Sequence, residues 1–431
     1  MRKILTGCLM YFICLNGIFA QDIDYAKKVI KDLCSEQMFG RGYVNEGDKK
    51  AAEYIRKEYQ DSKLLFFENS TDHTKGDFFQ EYGFQVNAFP YTVSAKIDEY
   101  DLIPGEDFIV DAACPNVSGS FDILFVDSST VDNSAEFDQF QKKNLHNTFI
   151  VVDGIKGKKL LKQNIADDIL RNKYKARGLI FANQEKLTWS AATEWAAFPS
   201  IYITKGNLLR YQQKIMLTVE PDLIKHATQN VIGYIKGTQF PDSFIVFSAH
   251  YDHLGMMGRA ALFPGANDNA SGVAMMLDIM KYYAKNKPKY SIAFMAFSGE
   301  EVGLFGSYYY TQHPLFELKK ISMLINLDLM GTGDKGMTVV NATLYPKEFQ
   351  DLQIINVTKD YLPTVNSRGK AQNSDHYFFT ENGVKAFYFY LMGDYHYYHD
   401  VYDLPEVLTL SKYNEAFKLI TEFTNDYCSG Q

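Results

Sequence analysis

Acidic residues and histidines follow apolar runs in the second half of this sequence, at the point where each run ends. Four runs with the length of buried strands end in this way: Phe244–Phe247 before His250, Ile292–Phe297 before Glu300 and Glu301, Ile321–Leu327 before Asp328, and Ala386–Leu391 ahead of His399. Ligands of open α/β sheets bind beyond the carboxyl ends of the strands. The sequence therefore predicts a sheet with metal-ligand side chains gathered at one edge.

Strand-like and helix-like segments alternate after Asn230, which is typical of an α/β protein. Ser271–Ala284 places apolar residues on one face of a helix, and the strand-like runs on either side of it are apolar throughout. Strands of this kind are covered by helices on both faces of their sheet. We predict a mixed, mostly parallel central sheet flanked by helices.

The earlier part of the chain has two different patterns of apolar residues. A helical pattern over Asp24–Gln60 is broken at Gly40–Gly42, whereas Val93–Pro221 consists of short β-like runs with one helix near Leu160–Asn172. These changes of pattern predict three units after the first twenty residues. Residues 21–92 would form an N-terminal helical part of the catalytic domain, residues 93–221 an inserted β-rich domain, and residues 222–431 the remainder of the catalytic domain.

The first twenty residues have the pattern of a signal peptide. Arg2 and Lys3 precede the apolar run Ile4–Phe19, which ends at the small residue Ala20. This run is too short to span a bilayer comfortably, so we expect no stable membrane insertion. The protein is therefore expected to be exported, to the periplasm or to the outside of the cell, with residues 1–20 removed.

Charge and cysteine content exclude two classes of site. A net charge of −8 and a pI near 5.7 argue against a nucleic-acid partner, which needs a basic face. No pair of cysteines has zinc-site spacing, so a metal must be held by histidine and carboxylate groups. After removal of the leader, Cys34, Cys114 and Cys428 remain, and the sequence leaves their pairing open, as it does the oligomeric state.

The acids and histidines form a suitable ligand set for zinc. Asp268 lies in the glycine-flanked loop Gly265–Gly272, ahead of a helix. Zinc takes imidazole nitrogen and carboxylate oxygen, and one carboxylate can bridge two ions while each ion gathers one further acid and one histidine. Two histidines, three acidic ligands and one spare glutamate therefore have the composition of a co-catalytic pair of zinc ions.

Five segments, in order, resemble the motifs of the zinc aminopeptidase family. They are His250–Asp252, Gly265–Gly272, Ser298–Ser307, Asn326–Gly331 and Tyr398–Asp403. The family includes bacterial leucyl aminopeptidases, aminopeptidase Y, glutamate carboxypeptidase and glutaminyl cyclases. Two segments of the β-rich part, Ala176–Phe181 and Phe198–Tyr202, resemble the protease-associated domain that some members insert before their catalytic strands.

This resemblance implies a metal centre in which each position matches a family motif. His250 and Asp328 would hold one zinc ion, Glu301 and His399 would hold the other, and Asp268 would bridge the two. The implied activity is removal of residues from the amino end of a peptide, by attack of a hydroxide that bridges the metal ions.

The resemblance also implies four roles around the metals. Glu300 would be the general base and acid, because it is adjacent to a ligand without being one. Asp252 would accept a hydrogen bond from the ring of His250, and Asp403 would do the same for the second histidine ligand. Tyr398 would donate to the oxyanion of the tetrahedral intermediate. The bond after Asp268 is expected to be cis.

Three other functions stay open from the sequence. A glutaminyl cyclase would use one zinc ion and no attacking water, a carboxypeptidase would hold the other end of the peptide, and a receptor-like module would not be catalytic. His253, His396 and Asp400 lie close to ligands but receive no role, and Asp375 and His376 are expected to stay outside the metal centre.

Overall fold

The computed structural model describes residues 23–67, 77–126, 130, 133–152 and 163–430. The predicted signal peptide lies outside these residues. The described helices are α1 (Ile23–Leu33), α2 (Gly47–Asp61), α3 (Ser134–Gln141), α4 (Gln163–Leu170), α5 (Ser271–Lys285), α6 (Phe305–Gln312), α7 (Pro346–Lys359), α8 (His376–Glu381) and α9 (Tyr413–Tyr427).

Two large sheets organise the chain. The strands of the central sheet are β1 (Phe79–Ala88), β10 (Asp222–Ile235), β11 (Phe240–His250), β14 (Tyr290–Phe297), β15 (Ile321–Leu327), β16 (Gly336–Val340), β17 (Val365–Ser367) and β18 (Ala386–Met392). The strands of the second sheet are β2 (Val93–Ile97), β3 (Tyr100–Leu102), β4 (Phe108–Val110), β5 (Val117–Val126), β6 (Thr148–Val152), β7 (Gly178–Gln184), β8 (Ser200–Thr204) and β9 (Lys214–Val219). A separate hairpin is formed by β12 (Gly255–Met257) and β13 (Ala261–Phe263).

The central sheet confirms the predicted fold class. Its strand order is β1-β10-β14-β11-β15-β18-β16-β17, and the four middle strands β14, β11, β15 and β18 run parallel to one another. β10 is antiparallel to β14, and β16 is antiparallel to β18. The sheet is thus mixed, with its parallel part at the centre, where the candidate ligands follow the strand ends.

Apolar side chains cover both faces of the central sheet. One face packs against helices α1, α2, α5, α7 and α9 through a core that includes Ile55, Met276, Leu352 and Ile420. The other face packs against α6 and α8 through Tyr310 and Phe379. Burial on both faces accounts for the uninterrupted apolar runs that these strands show in the sequence.

The N-terminal part contains a strand that the sequence analysis did not anticipate. Residues 21–92 were expected to be helical, yet Phe79–Ala88 forms β1 and pairs with β10 in antiparallel register. Gln80, Glu81 and Gly83 interrupt the apolar pattern of this segment, and an edge strand needs apolar residues on fewer positions than a central one. The N-terminal part therefore contributes to the central sheet as well as to its helical cover.

The second sheet lies between β1 and β10 in the sequence. Two helices in the described part of this unit, α3 and α4, pack on one face through Phe137, Phe140 and Ile169. Only the second helix was expected from the sequence; the first begins after Asn133, whose side chain caps it by accepting from the backbone N–H of Ala135. The identity of this unit as an inserted protease-associated-like domain stays a prediction.

An apolar core joins the second sheet to the part of the chain that carries the candidate ligands. Its members include Ile97, Phe108 and Leu217 of the second sheet, together with Met257 and Phe263 of the β12–β13 hairpin. Because this hairpin lies in the sequence between His250 and Asp268, the second sheet packs directly beneath the segment that links two candidate ligands.

Two remaining expectations concern cysteines and membranes. Cys34, Cys114 and Cys428 are buried, and each is a free thiol. Within the residues described, the search for a helix with the length and apolar character needed to cross a bilayer found none.

Candidate metal centre

Two neighbouring parallel strands place the first pair of candidate ligands. β11 ends at His250 and β15 ends one residue before Asp328, and the register of these strands pairs Ser248 with Asn326. A hydrogen bond of 2.7 Å from the Ser248 hydroxyl to the Asn326 side chain fixes this register. As a result, Nε2 of His250 lies 3.5 Å from Oδ1 of Asp328.

Asp268 lies between the two candidate histidines. Its Oδ1 is 3.3 Å from Nε2 of His250, and its Oδ2 is 3.2 Å from Nε2 of His399. Asp268 belongs to an irregular turn, Ala266–Ala270, immediately before α5, and the bond between Asp268 and Asn269 is cis as predicted. The two carboxylate oxygens therefore face two different histidines.

Glu301 completes the second group. Its Oε2 lies 3.1 Å from Nε2 of His399, and its Oε1 lies 2.6 Å from Nδ1 of His253. Glu301 follows β14 through a short turn in which Gly299 has a φ of +66°, a conformation that disfavours a side chain. The sharp turn after the strand directs the carboxylate into the site.

These distances fit the donor geometry of zinc. Two donors that share a tetrahedral zinc ion at about 2.0–2.1 Å lie about 3.3 Å apart. The separations around Asp268, from 3.1 to 3.5 Å, match this value. The five candidate ligands thus lie close together, in two groups that share Asp268.

His253 is a residue that the sequence analysis left without a role. It is fully buried and lies with Asp268 and Glu301 in a group that is compact enough to hold a metal. However, its 2.6 Å contact with Glu301 is a hydrogen-bond distance, shorter than the spacing of two donors on one zinc ion. We therefore assign His253 to orienting Glu301 and His399 to the ligand set.

Charges in the centre are strongly coupled. Burial alone would raise the pKa of Asp268, but hydrogen bonds from His250 and His399 hold it well below the usual value. Burial likewise opposes ionisation of Glu301, yet the charge of His399 lowers its pKa to about 2. Burial would lower the pKa of His399, whereas Glu301 and Asp268 raise it to about 11. The lowered pKa values of Asp268 and Glu301 keep these two carboxylates ionised, the form that binds a cation.

Glu300 lies beside the ligands, as predicted for an acid–base group. It lines a cavity of about 280 Å³ together with His250, Asp268, Asp328 and Tyr398. Burial raises the pKa of Glu300 well above its ordinary value, the charge of His250 opposes this, and Glu301 adds to it. A carboxyl group with a raised pKa suits proton transfer near neutral pH.

Asp252 supports the centre in a different way from the one predicted. The ring of His250 contacts the backbone oxygen of Asp252 at 3.2 Å, while the nearest carboxylate oxygen is 3.8 Å away. The carboxylate instead accepts from the hydroxyl of Tyr43 at 2.7 Å and from the backbone N–H groups of Glu300 and Glu301. Asp252 therefore fixes the glutamate turn, and its backbone orients His250.

The prediction for Asp403 is wrong. Nδ1 of His399 lies 2.8 Å from the carbonyl oxygen of Trp189, not near Asp403. The Asp403 carboxylate accepts from the backbone N–H groups of Asn267 and Asp268, at 2.8 and 3.1 Å. Spacing in the sequence could not show this, because the partner of His399 is a backbone atom more than two hundred positions away.

Arg41 is a second support that the motifs did not identify. It is fully buried, and its guanidinium donates to the carbonyl oxygens of Tyr251, Pro264, Gly265, Leu33 and Asp268. These acceptors lie next to His250 and around the Asp268 turn. The sequence showed only that Gly40–Gly42 breaks a helix.

Tyr398 and Ser374 complete the surroundings. The ring of Tyr398 stacks on His399 with centroids 3.9 Å apart, and this side chain is half-exposed at the cavity. The Ser374 hydroxyl donates to Oδ2 of Asp328 at 2.9 Å. In the described part of the chain, neither of the two groups of side chains that could hold a metal ion includes Asp375 or His376.

Comparisons with known proteins show similarity to peptidases. The sequence model of peptidase family M28 matches residues 230–424. Aminopeptidase YwaD of Bacillus subtilis is 29% identical over 262 residues, which are 56% of this chain and 55% of that protein. A probable zinc metalloprotease of Pyricularia oryzae is 38% identical over 111 residues, 25% of this chain and 22% of that protein. The chain thus spans about half or less of the length of these curated relatives.

Solved structures share the fold of almost the whole chain. A zinc aminopeptidase from Bacillus subtilis has a TM-score of 0.68 and 20% identity, covering 94% of this chain and 95% of its own. An M28 peptidase precursor from Shewanella amazonensis has a TM-score of 0.63 and 16% identity, covering 94% of this chain and 97% of its own. At these identities the likeness concerns the fold.

Proposed function

From the match of residues 230–424 to peptidase family M28, we propose that the protein is a zinc-dependent metallo-aminopeptidase that uses two metal ions. The observation that carries the proposal is the position of Asp268. Its two oxygens face two histidines at 3.3 and 3.2 Å, so one carboxylate can serve two ions. One ion would be held by His250 and Asp328, the other by Glu301 and His399.

Bound zinc would supply Lewis acidity to the attacking water and to the scissile carbonyl group. Around it, Glu300 takes the proton of the water and later returns it to the amine that leaves. The backbone N–H of Glu300 donates to Asp252, which keeps the glutamate turn in place while the proton moves. Tyr398 lies at the cavity, where its hydroxyl can donate to the oxyanion.

The amino-terminal polarity rests on resemblance to aminopeptidases, and one observation favours a second candidate. Arg368 lines the same cavity as Glu300, and its guanidinium lies 3.4 Å from the hydroxyl of Tyr390. A guanidinium beside the reacting groups can pair with a substrate carboxylate. Such a carboxylate belongs either to an acidic side chain or to the carboxyl end of the peptide, and the second case would make the protein a carboxypeptidase.

One experiment separates these functions. The purified protein is assayed for zinc content and for release of amino acids from matched peptides with free, N-acetylated and C-amidated ends, with and without a chelator. We expect about two zinc ions per chain and chelator-sensitive release that fails only on N-acetylated peptides. Failure only on C-amidated peptides would establish a carboxypeptidase, and cyclisation of N-terminal glutamine without hydrolysis would establish a cyclase.

Export is part of the same proposal. The basic residues Arg2 and Lys3 and the apolar run Ile4–Phe19 have the composition of a secretory leader. Determination of the N-terminus of the mature protein tests this: a chain that begins near Gln21 supports export, and an intact Met1 contradicts it.

A further inference from the structure

His399 is joined to the second sheet by a reciprocal pair of hydrogen bonds. Its Nδ1 lies 2.8 Å from the carbonyl oxygen of Trp189, and its own carbonyl oxygen accepts from the backbone N–H of Trp189 at 3.1 Å. Because the backbone oxygen can only accept, Nδ1 carries a proton, and Nε2 is the nitrogen that faces Asp268 and Glu301. Trp189 therefore selects the tautomer of His399 that binds a metal ion.

The Trp189 side chain anchors this contact. It is 5% exposed, its Nε1 donates to the carbonyl oxygen of Val110 at 3.0 Å, and its ring stacks on Phe263 with centroids 4.8 Å apart. Phe89 packs against the same ring at 5.7 Å. Val110 lies in β4 of the second sheet and Phe263 in the hairpin, so both parts of the molecule hold the indole.

Neighbouring contacts bind the rest of the His399 segment to the second sheet. Lys186 donates to the carbonyl oxygen of Tyr398 at 2.6 Å. Val401 packs against the shared apolar core, so close to Gly105 that a Cβ on that glycine would lie 2.7 Å from it. Residues on both sides of His399 are therefore held from the same direction.

We propose that Trp189 is a positioning residue of the metal centre, and that the second sheet completes this centre by holding His399. The proposal rests on the proposed two-zinc function. It gives the second sheet a role in metal binding, beyond that of lining the substrate site. Outer hydrogen-bond partners of ligating histidines typically change metal affinity about 10- to 100-fold when they are lost. A substitution of Trp189 should thus lower the affinity for one of the two zinc ions.

Zinc affinity tests this without reference to activity. We expect Trp189→Ala to bind one of its two zinc ions about 10- to 100-fold more weakly in competition with a chromophoric chelator. Trp189→Phe keeps the ring stacking and loses only the Nε1 bond, so it should recover most of that affinity. Trp195→Phe is the matched control, because Trp195 lies in the same segment, is 47% exposed and donates to Asn87.

A fluorescence measurement keeps the test valid if Trp189→Ala does not fold. The chain has two tryptophans, so Trp195→Phe leaves Trp189 as the single indole reporter. We expect its emission to change as zinc is added, to keep that response in the additional variant His250→Ala, and to lose it in His399→Ala. These variants separate the ion held by His399 from the other ion.

Each outcome bears on one claim. Equal zinc affinities for Trp189→Ala and wild type, or a Trp189 emission that ignores zinc, would overturn the positioning role and leave the peptidase proposal intact. Loss of the emission response in both histidine variants would overturn the assignment to one ion. A wild-type protein that binds no zinc would instead overturn the proposed function on which this inference rests.

Discussion

The two halves of the candidate centre are built by different means. The sheet half, His250 and Asp328, follows two adjacent parallel strands of the buried central sheet. The loop half, Glu301 and His399, lies on turns and is held by His253 and by the backbone of Trp189. His399 itself has a φ of +56°, which is uncommon for a residue with a side chain.

Because of this difference, we expect the sheet half to be rigid and the loop half to adjust its position more easily. Ligands at the ends of core strands cannot move without disturbing sheet packing, whereas ligands on turns depend on a few hydrogen bonds. We therefore expect the sheet half to resist substitution nearby and the loop half to respond strongly to loss of a single supporting contact. Four predictions follow from this contrast.

The largest expected effect is on turnover, from a substitution that leaves both halves of the centre intact. Glu300→Gln removes the acid–base group but none of the ligands, so turnover should fall by roughly 10²-fold or more while zinc content is unchanged. Steady-state kinetics with metal analysis measure this, and Glu317→Gln, which changes a surface glutamate paired with Lys319, is the control. Near-normal turnover would mean that another residue is the base.

Arg41→Met should weaken the support of His250 and Asp268 together. It leaves several buried carbonyl oxygens without their donor, each at a cost of about 1–3 kcal/mol, so the free energy of unfolding should fall by at least about 3 kcal/mol. Urea denaturation measures this, with Arg259→Met at an exposed site as the control. A loss below about 0.5 kcal/mol, typical of surface changes, would contradict the supporting role.

His253→Phe should act on the loop half alone. The variant keeps an aromatic ring but cannot bond to Oε1 of Glu301, so one zinc ion should bind roughly 10-fold more weakly. Chelator competition measures the two affinities separately. Equal weakening of both ions would contradict the division into halves, and complete loss of one ion would indicate that His253 is itself a ligand.

The smallest effect concerns acid stability beside the sheet half. Burial lowers the pKa of His376 to about 3, so the folded chain keeps it neutral while the unfolded chain protonates it below about pH 6.5. Stability is therefore lost as pH falls from about 6.5 towards 3, by about 1.4 kcal/mol per pH unit from this group. His376→Phe should lack that contribution when metal-free proteins unfold at pH 6 and pH 5. Parallel pH slopes for both proteins would contradict it.

The same contrast explains what the sequence could predict. Apolar runs that end in His250 and Asp328 identify both the strands and the ligands, because strand order in a parallel sheet brings those ends together. The ends of two further apolar runs indicated Glu301 and His399, motif resemblance assigned Asp268 to a position between two ions, and the structure brings all three side chains together. Predicted and observed bounds agree closely for β15 and α5.

The residues that support the candidate ligands could not be predicted in this way. Trp189 acts through a backbone oxygen, which any residue type possesses, and Arg41 acts on carbonyl oxygens about 210 to 227 positions away in the chain. His253 lies in a motif, yet only the path of the chain shows that it faces Glu301 rather than a metal ion. The sequence identifies the chemistry of each side chain. Only the folded structure shows which backbone oxygen accepts a given hydrogen bond.

The pairing of β1 with β10 has a consequence for how the chain reaches this fold. Ala88 opposes Asp222 at the end of the pair, so the whole second sheet occupies the connection of one antiparallel hairpin. Closing a longer loop costs only about 0.6 kcal/mol for each doubling of its length, so a large insertion here is thermodynamically inexpensive. During synthesis, the inserted residues emerge from the ribosome before β10, and His399 emerges last of the ligands. The surface against which His399 docks can therefore be folded before that ligand is made.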